Sequence, residues 1–144
     1  MTLSGVMRFV LNRNTLSGLA LASALVAAAC ASSAPEAALS GTRWQAQSIE
    51  GAPVAYRTPT IEFAADRISG TGGCNRYFGT YQITGAQISV GGVGSTEMAC
   101  EPVVMAQEAA FHTALGDARS FRREGETLVL ASAAGDVLVF RPAQ

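Results

Sequence analysis

The sequence predicts an α+β domain: a small curved or barrel-like antiparallel β-sheet with one packed α-helix. Three observations carry this expectation. Short runs of alternating apolar and polar residues, split by glycine turns, fill most of the chain beyond residue 39. A single stretch changes to a helical period, and the tight turns elsewhere leave no room for βαβ crossovers.

The first strand is RWQAQSI, residues 43–49, with Trp44, Ala46 and Ser48 on one face. EGAPVAYRTP follows as turn and loop, and TIEFA (60–64) is a second strand with Ile61 and Phe63 inward. RISG leads into GTGGCNRYFGTY (70–81), whose glycines at 70, 72 and 73 permit positive φ and close backbone approach, and whose Asn75 tolerates the same conformation. This segment is expected to be a structural corner. YQIT and AQISV flank a hairpin turn at Thr84-Gly85, and GGVGSTEMAC is a glycine-broken segment. PVVMAQEAAFHTAL (102–115) carries no glycine, opens on a proline suited to a first helical turn, and places Val104, Phe111 and Leu115 on one face with Val103 and Ala114 beside them; Gly116 supplies its stop. RSFRR, TLVLAS and VLVFR return to strands, with turns at residues 124–126 and 134–136.

The chain has 144 residues, 49% of them hydrophobic, enough for one domain with one core. Net charge is −1, and all 10 basic residues are arginine. They are scattered except for Arg122-Arg123, so the basic stripe required for nucleic acid is missing. Without lysine there is no Walker A loop, and GTGGCN lacks the third glycine and the following helix of a dinucleotide fingerprint.

Arg8 and Arg13 precede an uncharged run that closes on SALVAAAC and has the layout of an export signal. The favoured organisation is a signal peptide over 1–29, a lipidated Cys30 followed by a flexible tether over 30–38, and a domain over 39–144. Ala27 stands where a lipobox usually has Leu, Val or Ile. An ordinary cut after Ala29 and an uncleaved anchor are the alternatives, the last disfavoured because the apolar core falls short of the ~20 residues of a spanning helix. In an oxidising envelope the two remaining cysteines, Cys74 and Cys100, are expected to form a disulfide that stabilises the fold by about 3–4 kcal/mol.

Candidate chemistry is sparse. Cys100 precedes the helix N-terminus, where a thiol is activated, and His112 is the only base, yet about three helical turns separate them. His112 is read instead as partly exposed and paired with Glu108 at i,i+4. Glu62, Asp66, Glu97, Glu101 and Glu108 are read as solvated charges. No metal-ligand spacing and no cofactor motif is present, and Trp44, Phe63 and Phe111 are read as core.

GCNRYFGTY, followed by STEMAC and a helix carrying Glu108, Phe111 and Leu115, resembles the META/HslJ domain family; GTRWQAQSI at the start and the closing LVL and VLVF runs fit the same pattern. The resemblance covers residues 39 to 142 and marks Trp44, Gly73, Cys74, Asn75, Arg76, Gly79, Tyr81, Thr96, Met98, Cys100, Glu108 and Phe111 as motif positions. It implies a small β structure with one helix, often exported or lipid-tethered, associated with heat shock, novobiocin resistance and virulence, and without an established catalytic activity. The resulting expectation is a monomeric, non-enzymatic lipoprotein of the outer membrane facing the periplasm, contributing to stress or antibiotic tolerance by binding an envelope partner. A soluble periplasmic or secreted protein is the alternative location. A carrier or pilot for a lipid, peptide or other hydrophobic ligand, and a cysteine-dependent redox enzyme, are the alternative functions.

Overall fold

The computed structural model describes residues 39–144. The expected signal, Cys30 and the tether lie outside the described residues. Nine strands and one helix follow in order: β1 (Thr42–Ile49), β2 (Ala52–Pro53), β3 (Thr60–Ala64), β4 (Arg67–Thr71), β5 (Arg76–Thr84), β6 (Gln87–Ser95), α1 (Pro102–Asp117), β7 (Ser120–Glu124), β8 (Thr127–Ser132) and β9 (Gly135–Pro142). Every pairing is antiparallel, in the order β2-β1-β3-β4-β5-β6-β7-β8-β9, and β1 also pairs with β9. The α+β expectation therefore holds.

The sheet is a ring rather than a barrel. β6 meets β7 through the single pair Gln87 and Ser120, held by Ile88 N–H to Arg119 O (3.0 Å) and Phe121 N–H to Ala86 O (2.9 Å). Beyond that pin the two strands part.

Alternation builds the interior. Along β5, Tyr77, Gly79 and Tyr81 point inward, while Arg76, Phe78 and Thr80 face out. Trp44, Phe63, Tyr77, Phe111 and Phe140 are almost fully buried, and edge-on contacts join Phe63 to Tyr81 at 5.1 Å, Tyr77 to Phe111 at 5.6 Å and Phe111 to Phe140 at 6.4 Å between ring centroids. The Tyr77 hydroxyl donates to Thr60 O at 2.8 Å, and burial pushes its phenol well above the ordinary range. Trp44 donates its indole N–H to Thr42 Oγ1 at 2.7 Å and lies 5.1 Å from the Arg123 guanidinium.

Several local expectations are corrected. A bulge between Ala46 and Ser48 shifts β1 by one residue, so Ile49 rather than Ser48 follows Ala46 into the core. Within the expected loop, Ala52 and Pro53 pair with β1. The glycine-broken segment supplies the second half of β6, with a bulge opposite Gly79. Pro102 does open α1, but Gly116 does not stop it; the helix runs through Asp117 and ends where Ala118 turns extended (φ −59°, ψ 132°). Val103 is not a core residue, being 47% exposed. Val104, Phe111, Ala114 and Leu115 are buried as expected, and Glu108 joins them, so a carboxylate occupies the position that the helical period reserves for an apolar side chain.

Candidate functional site

Seven of the motif residues, Gly73, Cys74, Asn75, Thr96, Met98, Cys100 and Glu108, converge where the β4–β5 connection meets α1. The chain can pass there because side chains are absent: a Cβ at Gly70 would lie 2.1 Å from Thr60 O, and one at Gly72 would lie 2.6 Å from Glu108 Cγ. Gly73 turns the corner at φ +126°. Gly72 N–H and the Thr71 hydroxyl both donate to Asn75 O, at 2.9 and 3.2 Å.

Glu108 reaches this corner from the helix. Its Oε2 accepts Cys74 N–H (2.8 Å) and Asn75 N–H (2.6 Å), and its Oε1 accepts Asn75 Nδ2 (2.7 Å). The residue is 5% exposed, so the reading of Glu108 as a solvated charge is overturned. Burial acts to raise its pKa, but the bonds from Asn75 and Cys74, together with the nearby His112, outweigh burial and hold the carboxyl below its usual value.

Asn75 extends the network to the segment before α1. Its Oδ1 accepts Met98 N–H (2.6 Å) and the Thr96 hydroxyl (2.9 Å), while Nδ2 donates to Met98 O (3.2 Å) as well as to Glu108. Both lone-pair sites and both N–H groups of the amide are thereby used. Asn75 is not in the left-handed region, as the sequence reading allowed; its amide is the reason for its place. Cys74 and Cys100 are joined as a disulfide with Cα atoms 6.0 Å apart, so the activated-thiol alternative at the helix start has no free thiol.

The other motif residues serve the sheet and the core. Arg76 is exposed, with its backbone N–H on Thr96 Oγ1 (3.2 Å). Gly79 faces inward, where a Cβ would crowd Gly91 O and Val93. Trp44, Tyr81 and Phe111 are core, and the Met98 side chain is 56% exposed while its backbone serves Asn75. His112 is half-buried against the Tyr77 ring (5.3 Å), with Nε2 sealed from solvent and hydrogen-bonded to nothing among the described residues. Burial lowers its pKa, partly offset by the Glu108 carboxylate, so the pairing of the two is electrostatic rather than a hydrogen bond. Among the described residues no three His, Cys, Asp or Glu side chains are grouped as a metal site.

Sequence reasoning missed one surface feature. A groove of about 440 Å³ lies between the helix and the β1–β2 hairpin with the chain that follows it, walled by Ile49, Pro53, Tyr56, Val103, Ala106 and Ala110. Its only sequence signal is the uncharged solvent face of the helix, which the core-face pattern did not explain.

A ring of antiparallel strands, with its one helix clamped to a glycine corner by a buried carboxylate and a disulfide, defines a small single-helix β-domain. Residues 37–144 match the META domain, and the chain belongs to that family. Three solved structures share the fold. One is a protein determined by NMR (24% identical, TM-score 0.61, covering 74% of this chain and 93% of that one). Another is a Burkholderia xenovorans protein, also determined by NMR (26%, 0.60, 76% and 86%). The third is the crystal structure of a DUF4847 family protein from Bacteroides vulgatus (14%, 0.57, 76% and 97%). No curated protein matches the sequence.

Proposed function

We propose that this META-domain protein is a non-enzymatic lipoprotein of the cell envelope, tethered through Cys30 to the outer membrane on its periplasmic side, that supports stress or novobiocin-type antibiotic tolerance by binding a partner. The supporting observation is the engagement of its chemically capable groups. Glu108 accepts three short hydrogen bonds, Cys74 and Cys100 are oxidised together, and His112 Nε2 is sealed from solvent beside the Tyr77 ring. A carboxylate and cysteines spent on holding the corner, and an imidazole nitrogen closed off from solvent, are poor general acids, bases or nucleophiles, since each must be released or uncovered before it reacts. Recognition through the surface is the function this leaves best supported.

A carrier that holds a ligand inside the ring fits less well, because Trp44, Phe63, Tyr77, Phe111 and Phe140 occupy that space. The experiment is a gene deletion scored for heat and novobiocin survival and complemented with wild type or Cys30→Ala, alongside the intact mass of the membrane-extracted protein. Acylation on a chain starting at Cys30, with loss of complementation by Cys30→Ala, supports the reading. A wild-type phenotype on deletion, or an unacylated chain with free thiols, rejects it.

A further inference from the structure

The groove beside α1 has a composition that selects its occupant. No exposed position of the helix between Pro102 and Gly116 carries a charge. A helix whose outer face carries no charge has a side that water solvates poorly. Val103, Ala106 and Ala110 fall at i, i+3 and i+7 along that side, and Tyr56, 49% exposed, stands opposite with Ile49 and Pro53. The small alanines allow close approach, and the larger side chains at the walls provide contact area.

The polar groups of the groove disfavour one class of guest. Gln107 is the amide in the lining, and most of it is engaged: Oε1 accepts the N–H groups of Ala55 (3.1 Å) and Tyr56 (3.2 Å), and Nε2 gives one of its two N–H groups to Arg57 O (3.0 Å). Pro53 has no N–H to offer. An extended peptide laid in the groove would bury a full row of backbone groups against few partners, at a cost that a helix avoids by satisfying its own.

Charge sets the remaining preference. Glu50 lies in the lining and has no ion-pair partner among the described residues. It also sits at φ +49°, a conformation rare for a residue with a side chain. An anionic amphiphile is repelled by this carboxylate, whereas a basic residue beside an apolar face is attracted.

We infer that the groove between α1 and the β1–β2 hairpin docks the apolar face of a partner's amphipathic helix, with a basic residue of that helix meeting Glu50. This rests on the partner-binding reading above and names the chemistry of the partner.

The test measures anisotropy of a fluorescein-labelled 18-residue helical peptide of leucine, alanine and lysine, and of its glutamate counterpart, against the purified exported protein. The lysine peptide should bind about two- to five-fold more tightly, as an exposed ion pair allows. Glu50→Lys should reverse that preference. Ala106→Glu, at an exposed position and with an unchanged melting temperature, should weaken binding at least about ten-fold by placing an unpaired carboxylate in the contact. Absence of binding by either peptide, equal affinity for Ala106→Glu and wild type, or displacement of the lysine peptide by palmitate would each overturn the inference. In cells, full complementation by Ala106→Glu but not by Cys30→Ala removes the groove and leaves the tethered-protein reading standing. A deletion without phenotype removes that reading whatever the peptides do.

Discussion

The carboxylate of Glu108 serves the Cys74–Asn75 backbone as a hydrogen-bonding partner, taking both consecutive N–H groups on one oxygen at 2.8 and 2.6 Å while its other oxygen takes the Asn75 amide. A corner that leaves the sheet ladder would otherwise bury those donors unpaired.

Removing the acceptor should therefore be costly. Glu108→Ala strands three buried donors and is expected to lower unfolding free energy by about 3–5 kcal/mol, with Glu108→Gln losing roughly half of that. Urea denaturation followed by Trp44 fluorescence measures both, and a loss below about 1 kcal/mol for the alanine variant would contradict the clamp.

Acid should destabilise the fold in two stages. His112 has a folded pKa below its ordinary 6.5, so the unfolded chain binds the extra proton first and stability falls as pH drops below 6.5. Glu108 has a folded pKa below its ordinary 4.5, so its contribution is complete above that value and is lost as pH falls further. His112→Phe should abolish the first stage and leave the second, as read from melting temperatures between pH 7 and pH 3.

The disulfide and the carboxylate hold the same corner by independent means. Replacing Cys74 and Cys100 together by serine should cost about 3–4 kcal/mol through the freed loop in the unfolded chain, with the folded circular dichroism spectrum retained because the Glu108 and Asn75 bonds persist. Loss of the folded spectrum at room temperature would mean that the disulfide alone organises the corner.

Two glycines should respond oppositely to alanine. At Gly72 the new methyl collides with Glu108 Cγ and Oε2, and about 2 kcal/mol or more should be lost. At Gly116 the methyl enters open space inside the helix, and about 0.5–1 kcal/mol should be gained. Thermal melting of the two variants against wild type decides both.

The strands were legible because alternation survives in the sequence wherever one face is buried, as in Ile61 and Phe63 or Tyr77 and Tyr81. Ser48 was misplaced because a bulge inserts a residue without changing composition. Gly116 was misread as a stop because a helical glycine and a capping glycine look alike until the next residue's backbone is known.

Glu108 marks the boundary most clearly. Its spacing from Val104, Phe111 and Leu115 put it on the buried side of the helix, yet a carboxylate reads as solvated until the donors that surround it can be counted. Those donors come from residues more than thirty positions away, on the other side of β6. The amino-acid order by itself determined the fold class, the place of the helix and the family motif, since these rest on local period and turn chemistry. Tertiary structure alone decided which carboxylate is sealed, which helix face stays bare and where the ring parts, because each depends on what distant segments bring to the same point in space.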